Sequence, residues 1–482
     1  MHCHKFSSIL VLAVATVVGL TNYANGDDAA GLRAGAAAAD VTPQHWPIPM
    51  VGSFSRREAT HAWDPLNARA LVLDNGATRI GLVIIDSCYC PRSLLDDAKQ
   101  RASKLTGIST DHLLMAATHT HTAPPSRNSI SADADKQYVE HLTRGIVSAL
   151  SQATANLAPA EIGWGAVDVP EEVFNRRWYM KPGGIEPNPF GETTDVVRMN
   201  PPRGRGLLDR PAGPVDPQVC FLSVRTPEGR PISLLANYSL HYVGGIPGGG
   251  VSADYFGEFA RQMERRFFPE GRVDTAPPFV AMLSNGTSGD VNNINFTSPR
   301  PASKPFVRIR EVAGLVADRV EGALKKVEHH RQIPLAMAQS ELTLKLRRPT
   351  PERVQQAKEF LAAEDESNLP RRAKAYARWT MELNEHPGTE DIILQAVRIG
   401  DVGIATSPCE TFTETGLYLK AESPLKPTFT IELANGHYGY LPTPRQHRLG
   451  GYETWLGTNR LELEASDKIE AELLKLLRQV AE

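Results

Sequence analysis

Short apolar runs that end in polar side chains constrain the fold of this chain more than any other feature of its sequence. Most of them have the length and the valine, isoleucine and leucine content of a buried strand. The runs cover residues 31–41, 68–74, 80–90, 112–117, 219–225, 231–238, 279–284, 392–399, 402–405 and 428–433. Apolar residues at helical spacing predict helices over residues 132–150, 307–327 and 465–480, and more polar helices within 350–384. The sequence therefore predicts an α/β chain of mixed (α+β) type, with a mixed β-sheet core flanked by helices.

The overall composition excludes several classes of partner. The chain has 482 residues, of which 41% are hydrophobic and 22% charged, and this balance is typical of globular proteins. Its formal net charge of -3 provides neither a basic field for nucleic acid nor a polybasic patch for a membrane surface. We therefore expect neither nucleic acid nor a membrane surface as the main partner.

The first 26 residues have the pattern of a secretory signal. Lys5 precedes an apolar run over residues 9–20, and the small residues at 24–26 suit cleavage before Asp27. The run is too short for a permanent anchor, and no other stretch of the sequence qualifies as transmembrane. We expect a secreted or periplasmic protein in which residues 27–482 form one domain. An uncleaved N-terminal anchor is the alternative.

Cysteine usage predicts no disulfide framework. Apart from Cys3 in the signal, Cys88, Cys90, Cys220 and Cys409 are few and scattered. Bridging within Cys88-Tyr-Cys90 is geometrically poor, because the two residues lie so close together on one predicted strand. We expect buried thiols, and the sequence leaves a bridge between residues 220 and 409 open.

The segment His119-Thr-His121 follows one of the predicted buried strands. Pro124 and Pro125 end the pairing there, since each lacks a backbone donor. If the strand continues through the two histidines, they point to the same face. Such a pair suits a transition metal, because neutral imidazole is a strong ligand for zinc and its neighbours. Two histidines packed in a core or lining a polar loop remain the alternative.

Other polar residues stand at comparable positions. Asp86, His241 and Glu410 follow predicted strands, and Asp254 opens a helix after the glycine-rich turn beyond His241. Asp86 as a turn or cap residue and His241 as a structural residue are the alternatives.

Two loop segments also stand out. The glycines in residues 285–293 allow close backbone approach to a ligand, although the ending of a phosphate-binding P-loop is missing. Residues 181–217, rich in proline, glycine and arginine, predict a long ordered loop or lid.

A set of short motifs, taken together and in order, resembles the catalytic domain of neutral (alkaline, non-lysosomal) ceramidases. The motifs are His119-Thr-His121 with the following Thr-Ala-Pro, Asn175-Arg176, Val215-Asp-Pro217, Asn237 to His241, Asp254-Tyr255, Gly289-Asp290-Val291, Pro408-Cys-Glu410, Tyr440 and Tyr452. The resemblance extends over about residues 31–470. It implies a neutral-ceramidase-like fold and a zinc-dependent hydrolase that cleaves an amide bond in N-acyl sphingosine or another N-acyl compound.

The resemblance also assigns roles to particular residues. It implies that zinc is bound by four residues: His119, His241, Glu410 and Tyr440. It implies that His121, Arg176 and Tyr452 surround the substrate amide. Zinc lowers the pKa of a bound water toward ~7, so such a site provides hydroxide for attack on a carbonyl. We further predict that Asp86 and Asp254 bind substrate.

Several positions depart from the family pattern. Asn292 stands where ceramidases carry a serine that has been given a nucleophile role, and a carboxamide cannot perform covalent acyl transfer. We therefore predict direct attack by metal-activated water, with Asn292 as a hydrogen-bond donor to substrate or oxyanion. Cys409 replaces a glycine, the flank of Tyr440 differs, and we expect no C-terminal immunoglobulin-like domain. An ester or sugar-linked substrate, or a non-catalytic binding protein, remain the alternatives.

Overall fold

The computed structural model describes Met1 and residues 31–129, 132–204, 206–269, 279–298 and 301–482. The predicted signal at residues 1–26 lies outside the described residues, apart from Met1. Three β-sheets organise the rest of the chain, and each contains one pair of parallel strands among antiparallel neighbours.

The first sheet has five strands, and its parallel pair lies at one edge. Their order across the sheet is Leu113–Ala117, Arg79–Ile85, Asn67–Asp74, Arg33–Asp40 and Ala158–Pro159. The helix Arg92–Thr106 connects the parallel pair, because parallel strands need a crossover. Together with the helix Lys136–Ala155 it packs an apolar stripe on the outer face of the sheet.

The second and third sheets have four strands each. The second has the order Val280–Asn285, Pro231–Tyr238, Gln218–Arg225 and Glu161–Asp168. The third has the order Leu335–Lys345, Thr389–Ile399, Val402–Ser407 and Thr428–Glu432. The helices Asp254–Phe267 and Val307–Leu324 pack on the second sheet, and Ala465–Ala481 packs on the third.

One hydrophobic cluster joins the three sheets. Leu82 comes from the first sheet, Leu235 from the second and Ile404 from the third, and all three side chains are buried. Because the sheets share this core, the carboxyl ends of their parallel strands meet in one region, where sheet proteins commonly bind ligands.

The remaining elements are short or peripheral. The other helices and 3-10 turns are Thr110–His112, Pro170–Glu172, Pro351–Ala362, Ala373–Glu385, Thr413–Glu422, Pro444–His447 and Tyr452–Thr454. The other strands are Ile48–Met50, Arg57–Ala59, His61–Ala62, Phe174–Asn175, Arg177–Met180, Val197–Met199, Leu208–Pro211, Gly250–Val251, Val291–Asn292, Glu410–Thr411 and Tyr440–Leu441. No described helix has both the length and the apolar character needed to cross a bilayer.

The structure confirms the predicted mixed α/β class and changes several details. The helix predicted over 132–150 begins at Lys136, since the Asp135 side chain accepts a hydrogen bond from the Tyr138 N–H and caps it. The predicted loop at 181–217 contains the strands Val197–Met199 and Leu208–Pro211. The bridge left open between Cys220 and Cys409 does not form, because both are free, buried thiols.

Candidate metal centre and its cavity

The segment around His119 leaves the first sheet in an irregular turn. The strand ends at Ala117, and His119 has a φ of 73°, in the left-handed region. The prediction that both histidines extend the strand is therefore wrong. Even so, the turn brings the His119 and His121 rings together, with their Nε2 atoms 3.1 Å apart. The His119 N–H donates to the Ser87 carbonyl, which holds the turn against the neighbouring strand.

His241 and Glu410 reach the same point from the other two sheets. His241 follows the strand Pro231–Tyr238, and Glu410 follows Val402–Ser407. The His241 Nε2 lies 3.1 Å from the His119 Nε2, and Glu410 Oε2 lies 3.2 Å from His119 Nε2 and 3.8 Å from His241 Nε2. All three side chains are buried. Each sheet thus supplies one of the predicted ligands at the carboxyl end of a strand.

The hydrogen bonds of the three rings fix their tautomers. His119 Nδ1 lies 2.7 Å from the Cys88 carbonyl, His121 Nδ1 lies 2.9 Å from that of Gly52, and His241 Nδ1 lies 3.1 Å from that of Ser288. A carbonyl only accepts, so each neutral ring carries its hydrogen on Nδ1 and turns a lone pair on Nε2 toward the others.

Gly52 shows how closely the backbone approaches these rings. Its φ is 87°, and a Cβ built there would lie 2.7 Å from the ring of His121. Only glycine satisfies both conditions.

This arrangement of lone pairs suits a cation. Glu410 Oε2 is buried and accepts no hydrogen bond unless the His119 ring is protonated. Although burial alone would lower it, the Glu410 charge raises the pKa of His119 well above its usual value. Without a bound cation, the His119 ring is therefore protonated and pairs with Glu410. A divalent cation satisfies the same groups better, and imidazole with carboxylate is a donor set typical of zinc.

Cys88 lies on the other side of the His119 ring and does not complete this donor set. Its sulfur is 3.8 Å from His119 Nδ1, the nitrogen that already faces the Cys88 carbonyl. Cys88, His119 and His121 are therefore a less suitable set of metal ligands than His119, His241 and Glu410.

Tyr440 lies next to Glu410 because their two-residue strands pair in parallel. Burial, followed by the charge of Glu410, raises the pKa of Tyr440 well above its usual value. The protein alone therefore keeps Tyr440 as a phenol, and only a bound cation would favour the phenolate. The predicted fourth ligand is thus beside the other three in its protonated form.

A buried ion network lies behind these groups. Arg176 Nε donates to Glu453 Oε1 at 3.0 Å, and Arg177 donates to Glu453 Oε2 at 2.6 Å. The Arg176 guanidinium also donates to the Gly289 carbonyl and approaches His241 Nε2 at 3.4 Å. Glu453 thus fixes Arg176 beside the predicted ligand His241.

A cavity of about 630 Å³ opens over the candidate ligands. Five of the predicted site residues line it: His119, His121, Glu410, Tyr440 and Tyr452. The apolar rings of Phe54, Tyr89 and Trp379 form other parts of its wall. Arg176 and His241 are not among the lining residues, so they support the cavity from behind. The cavity combines a polar, metal-suited end with an aromatic surface.

Sequence reasoning missed His437, which also lines the cavity. Arg127 Nη2 donates to its Nδ1 at 2.9 Å, so the neutral ring carries its hydrogen on Nε2. That Nε2 lies 3.5 Å from Glu410 Oε1, and the ring stacks on Tyr89. A histidine three positions before the predicted ligand Tyr440 was the available signal.

The surroundings of Asp86 and Asp254 are those of structural carboxylates. Asp86 is fully buried, accepts from Arg69 at 2.7 Å and from the Asn67 N–H, and does not line the cavity. Asp254 accepts from the N–H groups of Val243 and Gly244 and orders the turn after His241. Neither carboxylate has exposed surface for a substrate, so the geometry gives their predicted substrate-binding role no support.

Asn292 lies in a strand pair next to the Arg176 segment. Its Nδ2 donates to Asn200 at 2.7 Å and its Oδ1 accepts from the Ile294 N–H. It is not among the residues lining the cavity. To contact a substrate, the Asn292 carboxamide has to break its hydrogen bonds with Asn200 and Ile294.

Comparison with known proteins agrees with this geometry. A sequence model of the family described as neutral/alkaline non-lysosomal ceramidase, N-terminal, matches residues 32–300. A search of curated protein sequences gives no match. The structure of a neutral ceramidase from Pseudomonas aeruginosa is similar over 93% of this chain and 74% of that one, with 17% identity and a TM-score of 0.70. A ceramidase complexed with C2 is similar over 94% and 75%, with 16% identity and a TM-score of 0.69.

Proposed function

Because the chain belongs to the neutral/alkaline non-lysosomal ceramidase family, we propose that it is an exported, zinc-dependent hydrolase of N-acyl amides, with N-acyl sphingosine as the first candidate substrate. The observation that supports this most is the convergence of His119, His241 and Glu410 at the polar end of an aromatic-walled cavity. Export rests on the signal pattern of residues 1–26.

We assign the metal to His119, His241 and Glu410, with Tyr440 beside Glu410. A zinc ion held by these residues would supply Lewis-acid activation of a water molecule and of the scissile carbonyl. His437 holds Glu410 Oε1 through its Nε2 hydrogen, which leaves Oε2 facing the two ligand histidines.

His121 is the group placed to accept a proton from the attacking water. Its Nδ1 hydrogen is held by the Gly52 carbonyl, so its Nε2 is free to accept. Burial lowers the pKa of His121 well below its usual value, so the ring is neutral near pH 7.

Tyr452 is the candidate donor to the developing oxyanion. Burial, and then the Glu410 charge, raises the pKa of Tyr452, so its hydroxyl keeps the hydrogen that it would donate. Arg176 lies behind Tyr440, with its guanidinium carbon 5.4 Å from the ring centroid. We assign Arg176 to orienting Tyr440 and His241, and its own contact with substrate remains part of the proposal.

The function is tested by measuring metal content and hydrolysis together. We expect near-stoichiometric zinc by elemental analysis of the purified mature protein. We also expect cleavage of a short-chain fluorescent N-acyl sphingosine, lost with a chelator and restored by zinc. Zinc without cleavage would reject this substrate and leave other amides and esters to be tested. Protein without tightly bound metal after reconstitution would overturn the site assignment.

Replacing Asn292 tests its assigned role as a hydrogen-bond donor, which is worth far less than a covalent nucleophile. We expect Asn292→Ala to lower kcat/KM by roughly tenfold or less, because one neutral hydrogen bond contributes about 0.5–1.5 kcal/mol. Loss of a covalent nucleophile lowers kcat far more, on the order of 10⁶-fold. The measurement is steady-state kinetics of the wild type, Asn292→Ala and Asn292→Asp.

Mass spectrometry of acid-quenched reactions provides the independent check. We expect no acyl adduct on any serine. Ser288 is the serine to inspect first, since its Oγ lies 3.2 Å from His241 Nδ1 and donates to Glu432 at 2.7 Å. An adduct that accumulates and decays at the turnover rate would refute direct attack.

A further inference from the structure

A second cavity, of about 590 Å³, shares no lining residue with the cavity over the candidate metal centre. We call it the arginine cavity, because Arg347, Arg348, Arg353 and Arg448 all line it. Trp455 and Leu456 supply apolar wall, and the helix Pro351–Ala362 begins at its edge with Thr350 as the cap.

Three of the four arginines have no carboxylate partner among the described residues. Arg353 pairs with Glu192. Arg347, Arg348 and Arg448 have no carboxylate oxygen within 4.0 Å in the described part of the chain. Arg348 instead donates to the carbonyls of Leu383 and Asn384, at the end of a helix.

The carboxylates that line the arginine cavity compensate for only part of this charge. Glu192 is already paired with Arg353, and Asp195 accepts from the Trp455 indole at 2.9 Å. Glu464 is exposed. Arg347, Arg348 and Arg448 therefore outnumber the two unpaired carboxylates of the cavity, Asp195 and Glu464, and leave an excess of positive charge there.

Arg347 is the most informative of the three. Its Nη1 donates to the Thr454 carbonyl at 2.6 Å and to Asn459 Oδ1 at 2.8 Å, and both acceptors are neutral. Burial lowers the pKa of Arg347 to about 10, and no acidic group offsets that effect. A desolvated cation with neutral partners is unfavourable unless an anion joins it.

A histidine adds a second unsatisfied group. His447 lines the same cavity, and its Nε2 is buried without a hydrogen-bond partner. Burial, and then the charges of Arg347 and Arg177, lowers the pKa of His447 to about 3, so the ring is neutral. With its hydrogen on Nε2, the ring provides a neutral donor beside the guanidinium groups.

We propose that the arginine cavity binds a tetrahedral oxyanion, a phosphate group either free or as a lipid headgroup, between Arg347, Arg448 and His447. The planar guanidinium groups donate paired hydrogen bonds to such oxygens. The adjacent N-terminus of the helix Pro351–Ala362 adds a favourable dipole. Trp455 and Leu456 offer apolar contact to the remainder of an esterified ligand.

The test is titration calorimetry of the full mature protein with inorganic phosphate at constant ionic strength, with chloride as the reference anion. A second arm uses a soluble short-chain phosphatidylglycerol, with phosphatidylcholine of the same length for comparison. Both arms are run with chelator present, so that a metal at the other site contributes nothing to binding.

We expect Arg347→Met and Arg448→Gln each to weaken binding roughly tenfold or more, since a charged hydrogen bond is lost. Arg478→Gln is the matched control, because Arg478 is exposed on the C-terminal helix and forms no ion pair among the described residues. Arg448 is itself exposed, so its variant keeps the test valid if Arg347→Met fails to fold.

Each outcome bears on the proposal. Binding of inorganic phosphate that both variants weaken supports a free ion as ligand. Binding of phosphatidylglycerol alone, with the same loss, supports a headgroup. Absence of binding in both arms, or binding that neither variant alters, would overturn it.

Discussion

Glu410→Gln is expected to remove bound zinc from the protein and with it all measurable amide hydrolysis. The carboxylate is the only anionic side chain among the three buried donors His119, His241 and Glu410. Glutamine keeps the shape but loses the charge, and it turns either a neutral oxygen or an amide hydrogen toward the histidines. Mutation of a residue that only hydrogen-bonds to a metal ligand lowers metal affinity by about 10–100-fold. Removing the charge of a ligand itself should therefore lower the affinity more.

The metal-ligand experiment combines elemental analysis with kinetics at saturating zinc. Glu385→Gln is the matched control, because Glu385 is exposed and forms no ion pair among the described residues. We expect the control to retain stoichiometric zinc and wild-type kcat/KM. A Glu410→Gln protein that binds zinc as tightly as the wild type would remove Glu410 from the ligand set.

Glu453→Ala is expected to cause the largest loss of folding stability of any single change at the site, about 3–5 kcal/mol. The carboxylate has no exposed surface and joins Arg176 to Arg177, which are themselves buried. Its removal leaves two buried guanidinium groups without a counter-charge. Arg176 would keep its bond to the Gly289 carbonyl, and Arg177 would keep its bond to that of Gly450.

Urea unfolding with chelator present measures this effect without a contribution from metal binding. Glu385→Ala is the surface control and should change stability by less than about 0.5 kcal/mol. Arg177→Met provides a second comparison, because it leaves Glu453 paired with Arg176 and should cost less than Glu453→Ala. A loss for Glu453→Ala that matches the surface control would contradict the network's structural role.

The mixed α/β class was predictable because strand runs and amphipathic helices have local signals. Apolar runs such as residues 231–238 and 402–405 coincide with strands, and each precedes a polar residue of the site. The helix Arg92–Thr106 and the strand Leu335–Lys345 were not predicted. Both carry many charged or exposed residues, so their apolar periodicity is weak in the sequence.

The candidate site was predictable as a set of residues but not as a geometry. The argument from strand alternation placed His119 and His121 on one face, whereas a left-handed residue in a turn brings their rings together. Asp86 had the same position after a strand as His119, but its Oδ2 is paired with the buried Arg69. Such pairings depend on tertiary contacts that no local pattern encodes.

Other parts of the site have little or no signal in the sequence. Glu453 meets Arg177 across 276 positions of the chain, and His437 is oriented by Arg127 across 310. The register of the strand pair that places Tyr440 beside Glu410 is likewise a property of the folded chain. Only the histidine's closeness to Tyr440 in sequence could have suggested a role.

The meeting of three sheets at one point also sets an order of events during maturation. His119 and His241 come from the first and second sheets, while Glu410 and Tyr440 come from segments near the end of the chain. A chain that is still being synthesised therefore contains both imidazoles before it contains their carboxylate. Selective capture of a divalent ion must then wait until the last sheet has docked. The metal would be acquired where folding finishes, so the supply of zinc in that compartment would decide how much protein becomes active.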